Sequence, residues 1–246
     1  MSKLNRKFLL WTFLIAILSW GICIVCSANG ITMNDNFLLY VPFLVGGWSP
    51  TIASFIVSKK RFKKWLADIF DFKHSILMYI MVIVLGVLFI LPKCLVSGYE
   101  NRYPLYLIVF VIPVMLFGGG LEEAGWRHIM QPELEKKCNF IVSTLVVAVI
   151  WFVWHLPLFY IQATAQESLN IMAFAVRVLG FSFALAAVKR ITSSTWLCVL
   201  FHCLVNAFNQ IYIVGSSIDG DIVSAAILIV VSLILVAVND KKKILK

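Results

Sequence analysis

Charge is scarce in this chain. Asp, Glu, Lys and Arg make up 13% of its 246 residues, hydrophobic residues make up 61%, and mean hydropathy is +0.95. Soluble domains carry about 25% charged and about 45–50% apolar residues, so the polar side chains here are too few to cover a water-soluble particle. No stretch is long and polar enough for a separate soluble domain, and residues 1–246 read as a single membrane domain. The six cysteines lie mostly inside apolar runs; Cys23 and Cys26 match C-x-x-C, but in mid-run they read as small hydrophobes. No disulfide or zinc framework is expected from them. Also missing are H-E-x-x-H, G-x-S-x-G and any convincing internal repeat. The aspartates Asp35, Asp68, Asp71, Asp219, Asp221 and Asp240 fall in loops and at the ends of apolar runs, none in the middle of one.

What is present is a series of long apolar runs. A helix needs about 20 apolar residues to cross the hydrocarbon of a bilayer, and eight candidates appear at 8–28, 37–58, 74–97, 104–130, 139–161, 169–188, 194–215 and 221–238. The expected fold class is all-α, a polytopic membrane protein of about eight transmembrane helices. The first run exceeds the 7–15 apolar residues of a signal-peptide core. Ser27-Ala28-Asn29 is a poor cleavage site, so the run is expected to remain as the first helix.

Basic residues orient these spans. With the N-terminus inside, the cytoplasmic set is Lys3, Arg6, Lys7, Lys59, Lys60, Arg61, Lys63, Lys64, Lys73, Arg127, Lys136, Lys137, Lys189, Arg190, Lys241, Lys242, Lys243 and Lys246, or 18 of the 21 Lys and Arg residues. Lys93 and Arg102 fall outside, and Arg177 lies within a span. This is the positive-inside pattern of a multi-pass protein of the cell membrane with both termini cytoplasmic. The net charge of +9 therefore reports topology and attraction to anionic headgroups, and calls for no nucleic acid partner.

An unpaired charge at mid-bilayer costs at least about 2.5–3.5 kcal/mol, so ionisable residues there are candidates for function. They occur in three places: Gly118-Gly119-Gly120-Leu121-Glu122-Glu123-Ala124-Gly125-Trp126-Arg127, Trp151-Phe152-Val153-Trp154-His155, and Phe201-His202-Cys203-Leu204-Val205-Asn206. Glu123 and Arg127 are four apart with the acid first, the favoured order for a helical ion pair. That pairing leaves Glu122 free, about 100° round the helix. His202 and Asn206 share a face, and Trp151 can pack on the ring of His155. With a turn near Lys137-Cys138, Glu122 and His155 lie at similar heights on antiparallel arms, and His202 at a comparable depth. The glycine run would let backbones approach closely. Glu133, Glu135, Lys136 and Lys137 read as a solvated turn, Arg177 as a structural partner, and His74 and His128 as interfacial.

At these residues the chain resembles the CAAX-processing and bacteriocin-processing (CPBP or Abi) family of membrane proteases. The family pattern is Glu-Glu-x-x-x-Arg, then an aromatic-x-x-x-His, then His-x-x-x-Asn or Asp. Here it reads Glu122-Glu123…Arg127, Trp151…His155 and His202…Asn206, with Trp151 where Phe is usual. The resemblance covers a core at 104–215, and the Gly46-Gly47-Trp48-Ser49-Pro50 run also looks similar. It implies helices around an intramembrane polar cavity and cleavage of a membrane-associated protein or small peptide. Glu122 and His155 would activate water, His202 and Asn206 would stabilise the oxyanion, and Glu123, Arg127 and Trp151 would support them. A buried Glu can act as a base, and His and Asn can donate to an oxyanion. The same residues admit a metal form, in which Glu122, His155 and His202 hold a divalent ion such as zinc with one position open for water. Two other functions remain open at this stage: a catalytically inert bacteriocin-immunity or scaffold protein, and a proton-coupled transporter.

Overall fold

Several of the long apolar runs begin as helices whose first turn is capped by a side chain. The computed structural model describes residues 1–215 and 217–244; Ser216 and Lys246 lie outside the described residues, as does the side chain of Lys243. In chain order the helices are α1 (Lys3–Ala28), α2 (Tyr40–Gly47), α3 (Ser49–Ser58), α4 (Phe62–Ile69), α5 (Ile76–Ser97), α6 (Ile108–Val114), α7 (Glu123–Gly125), α8 (Gln131–Glu135), α9 (Phe140–His155), α10 (Ile171–Thr192), α11 (Thr195–Ile211) and α12 (Ile218–Ile244). Ser2, Asn139, Asn170 and Ser194 accept from backbone N–H groups at the starts of α1, α9, α10 and α11. Those donors have no partner within the helix itself.

The protein is an all-α, multi-pass membrane protein. Five helical segments are long and apolar enough to cross a bilayer: α1, α5, α9 with its 3-10 extension to Tyr160, α10 and α12. The run 37–58 makes a sixth if its two helices, bent by 47° at Trp48, are one span. The other two of the eight expected runs, 104–130 and 194–215, hold shorter apolar helices, Leu105–Val114 and Thr195–Ile211. In the first, the helix ends soon after Pro113, and Met115 to Gly119 form turns. Proline removes a helical hydrogen bond, and Gly119 has φ +128, where a side chain is strained. In the second, α11 stops at Ile211 because Tyr212–Val214 leave the helix as β2, which pairs antiparallel with β1 (Tyr99–Asn101). This two-stranded ribbon is an addition to the all-α expectation.

Irregular backbone at membrane depth must find its hydrogen bonds inside the protein. Around the break, Trp48 Nε1 donates to the Phe117 carbonyl at 2.9 Å, Asn206 Nδ2 to that of Gly118 at 2.9 Å, and Thr51 Oγ1 to that of Leu121 at 2.8 Å. The bend between α2 and α3 is thus the buttress of the broken run. Trp154 Nε1 donates to Ser49 Oγ at 3.0 Å and ties α9 to the same bend.

α10 is the enclosed span, packed by α9, α11 and α12. Close approach there depends on Gly180: a Cβ would stand 2.5 Å from the Ala225 Cα of α12.

Three charges in or beside the apolar runs are buried. Arg127, counted with the cytoplasmic set, is fully buried, because the chain from Gly120 to Glu135 coils inward through 3-10, α and π turns. Lys93, counted outside, is 4% exposed, and Asp221, counted in a loop, is 3% exposed in the first turn of α12. They bury each other, Nζ to Oδ1 at 3.1 Å.

Candidate active site

Glu122 ends the 3-10 turn Gly120–Glu122 that restarts the broken run. A Cβ on Gly120 would collide with Cys203 Sγ of α11, so the lack of a side chain lets α11 lie against this turn. That approach brings His202 and Asn206 of α11 over Glu122. A point one Cβ bond from Gly119 lies 2.7 Å from Asn206 Nδ2, 3.0 Å from His202 Nε2 and 3.3 Å from Glu122 Oε1. Polar atoms from two elements face one small space, with backbone and no side chain beneath it.

Each group is held from behind. Trp151 Nε1 donates to Glu122 Oε2 at 2.8 Å, so Oε1 is the oxygen that faces the space. His202 Nδ1 is 2.7 Å from Glu123 Oε1. A carboxylate oxygen accepts, so Nδ1 carries a proton. His155 Nδ1 is 2.8 Å from the Trp151 carbonyl, which can only accept, so here too Nδ1 is protonated and Nε2 of the neutral ring is an acceptor. The two histidines differ in what stands behind them, a carboxylate for His202 and a peptide carbonyl for His155.

Glu123 therefore has a different principal partner from the one its spacing suggested. Its Oε2 is 3.7 Å from Arg127 Nε, beyond hydrogen-bond distance, although both side chains are fully buried. A spacing of four assumes a regular α turn, and Trp126–Met130 is a π turn, which is wider. Arg127 donates instead from Nη2 to Ser182 Oγ at 3.0 Å and lies 5.4 Å from the centroid of the Trp151 ring.

One cavity of about 450 Å³ is lined by Glu122, Trp151, His155, His202 and Asn206, with Gly118 and Gly119. His155 has no hydrogen bond to Glu122 or His202 among the described residues. Trp151 links them, its ring centroid 5.5 Å from that of His155 and 5.6 Å from that of His202. Glu122 bonds Trp151, which precedes His155 by one turn on α9. The polar residues outside the cavity behave as a surface: Glu133 pairs with Lys136, and Glu135 with Arg190 at 3.0 Å. His128 lies 3.1 Å from Thr195 Oγ1.

Among the described residues no three His, Cys, Asp or Glu side chains are placed to hold a metal ion. Glu122 gives one oxygen to Trp151, and His155 bonds the Trp151 carbonyl through Nδ1. As arranged, Glu122, His155 and His202 do not fit a bound zinc, and no step below passes through one.

Several residues have roles that the sequence reading did not assign to them. Trp48 and Thr51 hold the break, and Gly119 provides the open space. Trp151 offers an N–H to Glu122 in addition to the packing on His155 that the sequence suggested. Charge inside an apolar run was a usable signal for one further pair, Lys93 and Arg177, which also line the cavity.

Residues 104–208 match a family model described as Type II CAAX prenyl endopeptidase Rce1-like. The chain is also 21% identical to CAAX prenyl protease 2 of Methanococcus maripaludis, over 98% of this chain and 96% of the relative. The matched segment contains all three motifs, and the second likeness runs nearly end to end. The resemblance carried by Glu122-Glu123…Arg127, Trp151…His155 and His202…Asn206 is borne out: both likenesses support the CAAX-processing and bacteriocin-processing family of membrane proteases.

Proposed function

We propose that the chain is an intramembrane endopeptidase that hydrolyses a membrane-associated protein or small peptide with water activated by Glu122, in a working core at 104–215. The observation that carries this is the convergence of Glu122 Oε1, His202 Nε2 and Asn206 Nδ2 on the space beside Gly119. A water there gives a proton to Glu122 as its oxygen bonds to the substrate's carbonyl carbon. Nε2 of His155 is free to accept that water's second hydrogen. The carbonyl oxygen, now an oxyanion, accepts from Asn206 Nδ2 and His202 Nε2. Asn206 Nδ2 has two hydrogens, and Gly118 uses one of them. For His202 to donate from Nε2 its ring holds protons on both nitrogens, and Glu123 accepts the one on Nδ1. Glu122 then returns its proton to the amine nitrogen as the C–N bond breaks.

By likeness to the Methanococcus relative, named as a CAAX prenyl protease, the substrate is a prenylated chain end or a similarly lipid-bound peptide. The distribution of Lys and Arg supports cytoplasmic termini. The test is cleavage of a quenched fluorescent farnesylated peptide by protein in proteoliposomes, with Glu122→Ala, His155→Ala and His202→Ala alongside. Each variant should lose cleavage, and full activity in all three would overturn the assignment. A chelator arm separates side-chain from metal chemistry. Activity should survive chelation, whereas stoichiometric metal whose removal abolishes cleavage would show that these ligands regroup.

A further inference from the structure

The cavity that contains Glu122 and the two histidines has a second polar cluster in its wall. Arg177 of α10 and Lys93 of α5 both line it, and both pair with the same carboxylate, Asp221 of α12. Arg177 donates from Nε to Asp221 Oδ1 at 3.0 Å and from Nη2 to Oδ2 at 3.2 Å. Lys93 Nζ is 3.1 Å from Oδ1. The side chains of Lys93 and Asp221 are 5% and 4% exposed, that of Arg177 18%.

Two cations on one carboxylate leave a positive charge in excess. A buried charge without a counterion is costly, and a structural ion pair would need only one of these cations. Glu122, the carboxylate that lines the cavity, is bonded to Trp151 and pairs with neither cation. Nη1 of Arg177 has no protein acceptor among the described residues. The cluster is also held firmly. Ser224 Oγ donates to the Phe89 carbonyl at 2.7 Å and joins α12 to α5, and a Cβ on Gly220 would meet the Lys93 carbonyl at 3.1 Å. A preformed, cavity-facing cation pair is suited to an anion, and a guanidinium with a free N–H edge matches a carboxylate.

Position relative to the reacting groups narrows the anion. On α10, Phe174 stacks edge-on to His155 and Phe181 edge-on to His202, each with centroids 5.1 Å apart. Arg177 lies between them on the same face, about 4.5 Å along the axis from Phe174 and about 6 Å from Phe181. A carboxylate bound here is at the height of the histidines, inside a cavity whose size suits a small ligand or a short peptide end. We propose that Lys93 and Arg177, held by Asp221, bind the C-terminal carboxylate of the peptide being cleaved. This rests on the peptidase reading above.

The experiment uses the full chain in proteoliposomes and two versions of one farnesylated peptide, ending in a free acid or in an amide. Wild type should cleave the acid at least about tenfold faster in kcat/KM, the scale of one charged hydrogen bond. Arg177→Gln should cleave both at the wild-type rate for the amide. Lys93→Arg should keep the preference, because it keeps the charge. Should Arg177→Gln lose amide cleavage too, Arg177→Lys decides: retained amide cleavage with a weakened preference for the acid supports the proposal, and an undiminished preference overturns it. Equal cleavage of acid and amide by wild type overturns it as well. So does restoration of full rate to the amide by an added Glu side chain, which would mean that any carboxylate serves. Binding of both labelled peptides to Glu122→Gln separates this proposal from the one it rests on. A preference for the acid in binding, with no cleavage by wild type, would leave the anchor standing and remove the peptidase. Cleavage without any preference would do the reverse.

Discussion

Replacing Gly119 by alanine adds one carbon and removes no group that could do chemistry. The new Cβ would stand 2.7 Å from Asn206 Nδ2, 3.0 Å from His202 Nε2 and 3.3 Å from Glu122 Oε1. Non-bonded heavy atoms prefer about 3.5–4.0 Å, so the methyl both crowds all three and occupies the space where water and carbonyl would meet. The backbone at φ +128 adds strain of about 1–3 kcal/mol for a residue with a side chain. Gly118→Ala is the matched control. Its nearest neighbours would be Met115 Sδ and Cε at 3.3 Å, the end of a flexible side chain that can turn away. The Gly118 carbonyl would still accept from Asn206. In the proteoliposome assay, Gly119→Ala should lose at least about 100-fold in kcat/KM, equivalent to about 2.7 kcal/mol, while Gly118→Ala stays within about threefold of wild type. If Gly119→Ala keeps half its activity, or Gly118→Ala falls as far, the space beside Gly119 is not where the reaction occurs.

Three other outcomes follow from single contacts. Trp151→Phe retains a ring against both histidines but loses the N–H that holds Glu122 Oε2; a hydrogen bond to a charged group contributes about 1.5–3 kcal/mol, so kcat per folded molecule should fall about tenfold or more. An unchanged kcat would show that Glu122 is positioned by something else. Glu123→Gln leaves fully buried Arg127 without a carboxylate, and breaking a buried pair costs about 3–5 kcal/mol; thermal unfolding in detergent should drop steeply and cleavage should be lost, and wild-type stability would contradict the burial argument. Gly180→Ala pushes a methyl against the Ala225 backbone of α12; overpacking of about 1–3 kcal/mol should lower the melting temperature while sparing the acid-over-amide preference per folded molecule, and an unchanged melting temperature would mean that α10 and α12 separate freely.

The sequence by itself determined that the chain lives in a membrane, and which residues are chemically conspicuous there. Apolar composition needs no partner to be recognised, and Glu122, His155 and His202 stand out because a charge or imidazole in an apolar run is costly wherever the run packs. Spacing within one regular helix was legible as well: His202 and Asn206, four apart on α11, do face one space. Spacing failed where the helix was not regular. The run 104–130 is apolar enough for a span, yet Pro113 and the Gly118–Gly120 turns break it, and a π turn at Trp126–Met130 moves Arg127 away from Glu123. Tertiary structure alone decided the partners across helices. Glu123 meets His202 79 residues away, and Arg177 meets Asp221 44 residues away. Trp151 donates to Glu122 from another helix. The physical reason is one of range. Hydropathy and helical period describe a segment against its solvent, whereas a buried hydrogen bond or ion pair depends on which segments pack side by side, and that is settled only when the whole bundle closes.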